Sequence, residues 1–242
     1  MGNRALSPRA AGAILSAACL IPVAVAVPAQ AAPAVDCTGT LTGSYQAINV
    51  PDGASCFLDG ATVKRNVKIG IGSSLRTDEA SIGGNVMGDK AKTVLIIDTP
   101  VYGQIHLTRT TGQITIGVEG CRTDPIADGN INLQRNYGPI AICQMTVKNN
   151  IILHNNRNRI GVFENRVGNN IQLIGNTGRA IRVWDNTMDN NLLVKNNKVA
   201  KAFTFWRNDI GGRANCTGNV ISPTGGNNMA GGALTGQCSG LG

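Results

Sequence analysis

A repeat of about twenty residues runs through the sequence from Asn130 to Asn208. Each unit contains an Asn, an apolar–x–apolar triplet, a turn with a second Asn, another such triplet and a closing apolar residue. Steps of 20, 20 and 21 residues separate the first apolar positions, Ile131, Ile151, Ile171 and Leu192. The same steps separate the second Asn of each unit, at Asn136, Asn156, Asn176 and Asn197.

This pattern predicts a β-solenoid, because short alternating runs inside a fixed period are typical of stacked coils. A helical repeat would instead place apolar residues with a period of about 3.6. One coil cannot bury its own inward residues, so coils stack about 4.8 Å apart and identical residues form ladders. We therefore expect an all-β fold, a single-stranded parallel β-helix or right-handed β-solenoid, with about 20 residues per coil and roughly eight coils.

The first 31 residues match a secretory signal peptide. Arg4 and Arg9 supply a basic start, an apolar run follows, and the small residues of Ala29–Ala31 form a cleavage site. Cys19 lies in a sequence that resembles a lipoprotein attachment site, but the apolar run continues past it. No later run of about 18 apolar residues occurs, so we expect a secreted protein without a membrane span.

The rest of the chain divides into three parts in this interpretation. Residues 32–60 form an N-terminal cap with the first coil, residues 61–220 form the parallel β-helix, and residues 221–242 form an irregular C-terminal cap. The step from Ile105 to Ile131 is 26 residues, and the excess predicts an outward loop near Pro125.

Six cysteines remain after the predicted cleavage, and an even number in a secreted chain implies disulfides. Successive pairs are separated by 19, 22 and 22 residues, which is about one coil each. Residues one coil apart are vertical neighbours at a distance that suits a disulfide. The predicted pairs are Cys37–Cys56, Cys121–Cys143 and Cys216–Cys238. No C-x-x-C spacing occurs, so no zinc site is expected.

The net charge is +8, and 15% of the residues are charged. A net charge of this size is mild. Such basicity serves solubility, or less often an acidic glycan or nucleic acid partner. No Lys/Arg cluster or nucleic-acid motif accompanies the charge, so no nucleic acid partner is expected. We expect no cofactor and no metal, and a monomer.

Two stretches of the N-terminal repeats carry a resemblance. Gly60–Val63 and Gly83–Val86, together with the GNV…TGG…QC ending, resemble a group of small secreted actinobacterial proteins with G-A-T-V-x-G-N-V repeats. The resemblance implies the solenoid architecture and no particular activity. The coils also resemble, more loosely, the right-handed parallel β-helix of pectate lyases and related polysaccharide-active proteins.

A lyase of that kind would need a cluster of acids for calcium and a Lys or Arg base. The aligned columns contain no group of three acids, and the only acid-rich patch is Glu119, Asp124 and Asp128. This departure argues against lyase activity.

Three aromatic residues recur with steps of 21 and 22 residues, at Phe163, Trp184 and Trp206. Because Ile160 and Val162 point inward, alternation places these rings outward or in the turn. Rings stacked one coil apart can form a flat apolar strip that binds sugar rings. The alternative is that the turn folds them over the core or under the C-terminal cap.

The next column contains two acids, Glu164 and Asp185, between Gln144 and Arg207. Two carboxylates about 5 Å apart resemble the pair of a retaining glycosidase. The alternative is a solvated ladder neutralised by Arg166, Arg182 and Arg207. Any two aligned acids in stacked coils come this close, so the spacing carries little information about catalysis.

Three hypotheses for function follow. The first is a secreted, non-catalytic solenoid of the cell envelope or extracellular space that binds polysaccharide or cell-wall glycan through Phe163, Trp184 and Trp206. The second is a polysaccharide lyase or glycoside hydrolase that uses Glu164 and Asp185. The third is a purely structural surface protein. The Asn ladders, at positions 136, 156, 176 and 197 and at 165, 186 and 208, are interpreted as structural.

Overall fold

A computed structural model describes residues 1–2, 33–117 and 125–242. The predicted signal peptide therefore lies outside the described residues except for its first two positions. Residues 32–242 form one compact unit, and in its described part the secondary structure consists of β-strands. The chain winds through these strands as a parallel β-solenoid with about ten turns.

Sheet 1 contains eleven of the described strands, all parallel to their neighbours. They are Val35–Asp36, Ile48–Val50, Val67–Ile69, Val86–Asp89, Ile105–Thr108, Ile131–Gln134, Ile151–His154, Ile171–Ile174, Leu192–Lys195, Ala214–Thr217 and Leu234–Gly236. The predicted register is confirmed, since Ile131 pairs with Ile151, and Ile171 pairs with both Ile151 and Leu192.

Sheet 2 forms the second side of the coil, with ten strands in the described part of the chain. They are Thr40–Leu41, Ser55–Asp59, Ser74–Asp78, Thr93–Ile97, Ile114–Gly117, Ile140–Cys143, Arg159–Phe163, Thr177–Trp184, Lys198–Trp206 and Thr224–Gly226. A register shift between Gly178 and Ala180 accommodates the longer strands that lead to Trp184 and Trp206.

A third side consists of two-residue strands in two groups. Three strands form the first group, Ser44–Tyr45, Thr62–Val63 and Ser81–Ile82. Six form the second, Ile126–Ala127, Thr146–Val147, Arg166–Val167, Thr187–Met188, Asp209–Ile210 and Met229–Ala230. Val101 bridges the two groups by pairing with Ile82 and with Ala127.

The coils continue into both segments expected to be caps, which raises the turn number from the expected eight to about ten. Strands already begin at Val35, and Thr224–Gly226 pairs in register with Thr204–Trp206. Parallel pairing uses backbone N–H and C=O groups, so glycine-rich segments can join a stack that is already formed.

The core is a set of inward aliphatic ladders. Most strands of sheets 1 and 2 alternate buried and more accessible positions, and the inward Val, Ile and Leu side chains are almost completely buried. Burying one such side chain contributes about 1.5–3 kcal/mol. Near the C-terminal end the aliphatic ladder gives way to Phe203 and Phe205, whose rings pack edge to face with centroids 5.3 Å apart.

Two ladders of buried Asn side chains run along the corners of the coil. The first contains Asn136, Asn156, Asn176, Asn197 and Asn219, and the second contains Asn165, Asn186, Asn208 and Asn228. Each amide connects three coils.

Asn156 illustrates the arrangement. Its Nδ2 donates to the carbonyl of Leu133 at 2.8 Å and to Oδ1 of Asn176 at 3.2 Å. The same Oδ1 also accepts the backbone N–H of Asn156 at 2.9 Å. The ladder therefore satisfies the buried side-chain amide and backbone N–H of Asn156 within the protein.

Both buried ladders end on groups other than another Asn amide. Gln237 Oε1 accepts both the backbone N–H and the side-chain amide of Asn219, each at 2.9 Å. In the second ladder Asn228 donates to the carbonyl of Leu241 at 2.7 Å. The C-terminal residues thus occupy the positions that the next coil would fill.

Disulfides tie the coils near both ends. Cys37 is bonded to Cys56 and Cys216 to Cys238, with Cα atoms 5.3 Å and 5.1 Å apart. Both pairs have the predicted one-coil separation. The predicted Cys121–Cys143 pair cannot be placed, because Cys121 lies outside the described residues. Among the residues that are described, no helix is long and apolar enough to cross a membrane.

Replacing Asn176 by Ala should destabilise the protein by about 3 kcal/mol or more, because several fully buried partners lose a hydrogen bond at once. Asn170→Ala is the matched control. Asn170 makes the same kinds of ladder bonds to Asn150 and Asn191, but water can reach it, so its loss should cost about 1 kcal/mol. Urea unfolding of both variants measures the difference, and equal losses would contradict a special role for the buried ladder.

Candidate functional site

Three aromatic residues occupy one register position on consecutive strands of sheet 2. Phe163 pairs with Trp184, and Trp184 pairs with Trp206. Cys143 precedes this column and Gly226 follows it. The predicted register therefore places the three residues next to one another on consecutive coils.

The rings of Phe163 and Trp184 do not form a flat strip. Their centroids lie 5.5 Å apart and their planes are tilted by 54°. The Phe163 ring folds across Gly161, where an added Cβ would come within 2.3 Å of Cε2 and 2.5 Å of Cζ. The surface that the two rings present is consequently ridged.

Exposure is greatest at the last ring of the column. Phe163 and Trp184 are half-buried, whereas Trp206 is 38% exposed. The Trp184 indole N–H donates to Oγ1 of Thr204 at 3.0 Å, which fixes the ring against the next coil. The Arg182 guanidinium lies 5.5 Å from the Trp184 ring centroid, within cation–π range.

Two shallow hollows flank the aromatic column. One has a volume of about 320 Å³ and is lined by Trp184, Trp206 and Arg207. The other, about 150 Å³, includes Arg159 and Arg182 in its lining together with the Phe163 ring. Both open on the outer face of the solenoid. They offer ring faces beside guanidinium groups.

The predicted acid pair lies next to the aromatic column, in the turn after sheet 2. Asp185 is held by Arg207 in a two-point ion pair, with Nε–Oδ1 at 2.6 Å and Nη2–Oδ2 at 2.7 Å. The hydrogen bond to Asp185 raises the pKa of Arg207. Glu164 accepts a hydrogen bond from Nε2 of Gln144 at 2.8 Å. Each carboxylate is therefore engaged with a neighbour in its own column.

The backbone of this turn is left-handed at all four positions of the column. The φ angles of Gln144, Glu164, Asp185 and Arg207 lie between 48° and 59°. Strained conformations often mark functional sites. Here, however, Glu79 and Asp98 adopt the same conformation in the N-terminal coils. The conformation is therefore a property of the solenoid turn and does not single out Glu164 and Asp185.

The remaining candidate side chains are dispersed. In the described ranges no three His, Cys, Asp or Glu side chains come together in a way that could hold a metal ion. Glu119 and Asp124 lie outside the described residues, and Asp128 pairs with Lys148 at 2.9 Å. Partial burial lowers the pKa of His154, and a hydrogen bond with Gln172 partly offsets this.

Two larger hollows lie on the N-terminal coils. One of about 590 Å³ surrounds Phe57 and Arg76, and one of about 520 Å³ surrounds Met87 and Asp89. One charged side chain in each hollow, Arg76 or Asp89, is paired within the protein. Arg76 stacks over Phe57 at 5.5 Å and pairs with Asp78 at 2.9 Å.

Asp89 is compensated in the same way. It accepts hydrogen bonds from Arg109 and from Oγ1 of Thr108. The hydrogen bond from Arg109 lowers the pKa of Asp89 to about 2. Size alone therefore does not make these hollows better candidates than the aromatic column.

No protein-family model, curated protein sequence or solved structure gives a significant match to the chain. The site is therefore interpreted from its own geometry.

Sequence reasoning identified the aromatic column but missed the residues that shape it. Gly161 leaves the space into which the Phe163 ring folds, and Thr204 holds the Trp184 indole. The aligned repeat does contain an indication of Gly161. The residues paired with it on the two adjacent strands, Ala141 and Arg182, have side chains at this outward position, and Gly161 has none.

Gly161→Ala should displace the Phe163 ring, because the new methyl group would occupy the volume of that ring. The expected results are an altered near-ultraviolet circular dichroism spectrum from the Phe163–Trp184 pair and a loss of about 1–3 kcal/mol in stability. Gly39→Ala is the control, since a Cβ there meets no atom within 4 Å. An unchanged spectrum in Gly161→Ala would contradict the described ring position.

Asp89→Asn should reduce stability near neutral pH by less than about 1 kcal/mol, since the ion pair is exposed. The pKa of Asp89 is lower in the folded state, so its contribution is present above its unfolded pKa of about 3.9 and is lost as pH falls through about 2. Urea unfolding at several pH values should show the wild type and Asp89→Asn converging near pH 2. Asp59→Asn, which changes another exposed acid, supplies the comparison.

Proposed function

We propose that this protein is a secreted, non-catalytic β-solenoid of the cell envelope or extracellular space that binds a glycan through Phe163, Trp184 and Trp206. The observation that carries the proposal is the register of these residues on the outer face of three consecutive coils. Sugar rings present apolar C–H faces, and amphipathic aromatic rings such as Trp suit them.

The geometry supports a linear ligand. Successive rings rise by one strand spacing, about 4.8 Å, so a chain molecule lying along the solenoid axis can contact more than one ring. The hollow between Trp184 and Trp206 is open and shallow, which suits a polymer that extends beyond the site at both ends. Trp206, as the most exposed ring, should contribute most of the contact.

The disulfides near both ends fit an extracellular location, since disulfides form and persist in oxidising environments. This agrees with the predicted signal peptide. Membership of the small secreted actinobacterial group rests on the repeat residues alone, and we retain it as part of the proposal.

The enzymatic alternative has less support. Both oxygens of Asp185 are occupied by Arg207, and Glu164 is bonded to Gln144. A retaining mechanism needs one carboxylate free to attack and one poised to donate a proton. A purely structural role is the remaining alternative.

Glycan-array binding of the purified mature protein tests the proposal. Trp206→Ala and Trp184→Ala should each weaken binding about tenfold or more, because aromatic anchors commonly account for 2 kcal/mol or more of binding energy. Tyr102→Ala is the control, since Tyr102 lies on a distant coil and at 51% exposure is a more accessible aromatic than either Trp. Binding that survives both Trp substitutions would refute the assigned surface.

The same preparation distinguishes the alternatives. Release of new reducing ends or unsaturated products, abolished in Glu164→Gln, would establish an enzyme. The absence of both binding and turnover across the array would leave the structural role.

A further inference from the structure

Charge is distributed unevenly between the two halves of the solenoid. Residues 33–117 contain seven Lys and Arg and seven Asp and Glu, so this part is neutral. Residues 125–242 contain twelve Lys and Arg against five Asp and Glu, an excess of seven positive charges. The net charge of the described solenoid therefore belongs to the half that carries the aromatic column.

Within that half, three successive coils have the same composition between the first buried Asn ladder and the aromatic column. The segments are 157–163, 177–184 and 198–206. Each contains two Lys or Arg, one outward aromatic residue and no acid. The corresponding segments of the preceding coil, 137–143, and of the following coil, 220–226, contain no Lys or Arg. Within this stretch of the repeat, Lys and Arg are thus confined to the three coils that carry the aromatic column, while the preceding segment carries the exposed ring of Tyr137.

We call these six cations the basic face; they are Arg157, Arg159, Arg179, Arg182, Lys198 and Lys201. All six are exposed. In the part of the chain that the structure describes, none of them forms an ion pair. Two of them have a ring partner among the described residues, Arg157 over Tyr137 at 5.0 Å and Arg182 over Trp184 at 5.5 Å.

The basic face adjoins the aromatic column directly. Arg159 pairs with Ala180, two residues before Arg182, so both guanidinium groups project from the same face of adjacent strands. Both line the smaller hollow beside the Phe163 ring. Two acids lie in the turn after sheet 2, where Asp185 is paired with Arg207 and one oxygen of Glu164 accepts a hydrogen bond from Gln144.

This arrangement costs stability in the free protein, since like charges on neighbouring strands repel. In the N-terminal coils two of the three described Arg side chains are neutralised by an acid, Arg76 by Asp78 and Arg109 by Asp89. The basic face lacks such partners among the described residues. An external anion would supply the missing partners. Guanidinium groups bind two oxygens of a carboxylate or sulfate group through paired hydrogen bonds.

We propose that the ligand of this site is an anionic polysaccharide, whose sugar rings contact Phe163, Trp184 and Trp206 while its carboxylate or sulfate groups bind the basic face. The inference rests on the proposed glycan-binding function and adds the charge of the ligand. A polysaccharide fits better than a nucleic acid, because the disulfides and the predicted signal peptide place the protein among extracellular polymers.

Matched polymer pairs test the charge separately from the sugar. Carboxymethyl cellulose and hydroxyethyl cellulose share a glucan backbone, and dextran sulfate and dextran share another, but only the first member of each pair is anionic. Titration calorimetry should show at least one anionic member binding about tenfold or more tighter than its neutral partner. The two pairs distinguish carboxylate from sulfate recognition.

The variant Arg159→Gln/Arg182→Gln should weaken binding of the anionic polymer about tenfold or more, since hydrogen bonds between charged groups contribute about 1.5–3 kcal/mol each. Raising the salt concentration from about 0.05 M to about 0.5 M should weaken wild-type binding and reduce the difference between the two proteins. Arg135→Gln/Arg213→Gln also removes two positive charges, from exposed positions outside the basic face, and should bind like the wild type. Thermal unfolding of each variant verifies that the fold is intact.

The results of these experiments distinguish recognition of an anionic ligand from glycan binding in general. Equal binding of charged and neutral polymers, lost in Trp206→Ala but not in the arginine variant, would overturn the anionic ligand and retain glycan binding. Binding of no polymer would overturn both. Single-stranded DNA that binds as tightly as the anionic polysaccharides, with the same dependence on the basic face, would replace the polysaccharide with polyanions in general.

Discussion

The solenoid depends on vertical hydrogen bonding, in which each coil bonds only to the coils directly before and after it. The backbone supplies this pairing on all three sides of the coil, and the buried Asn amides supply it at two corners. Because a buried Asn bonds to both adjacent coils, a fault in one coil is felt by its neighbours. The aliphatic ladders contribute most of the burial energy, but from Asn136 onward the amide ladders fix the height and rotation of the coils.

The surface chemistry is a consequence of that fixed register. When coils stack without slipping, a residue type that recurs at one place in the repeat becomes a line on the protein surface. Phe163, Trp184 and Trp206 form such a line, as do the turn residues from Gln144 to Arg207. A solenoid can therefore build an extended binding surface from one substitution per coil, without an enclosed cavity. The basic face shares the same three coils, so ring contacts and charge act on one ligand over the same length.

Much of this could be predicted from the sequence, because register in a solenoid follows directly from the repeat. The steps of 20 and 21 residues predicted the pairing of Ile131, Ile151 and Ile171, and the one-coil spacing placed the disulfides Cys37–Cys56 and Cys216–Cys238.

The turn number was underestimated, because the last coil pairs through backbone groups of a glycine-rich segment that has no apolar pattern. The repeat pattern does not predict the tilt of the Phe163 ring, because the tilt depends on the space that Gly161 leaves beside that ring. The pairing of Asp185 with Arg207 depends likewise on side-chain reach within a left-handed turn.

The ends of the amide ladders have a consequence for growth of the stack. An open Asn ladder presents unfilled donors and acceptors at the same spacing as a fibril tip, and another chain could continue it. Here Gln237, which is one methylene longer than Asn, bonds to Asn219 through both its oxygen and its nitrogen. The Leu241 carbonyl accepts the side-chain amide of Asn228, and the Cys216–Cys238 disulfide holds the C-terminal segment nearby. The C-terminal segment therefore terminates the ladders from within the chain, and their length is encoded in the sequence.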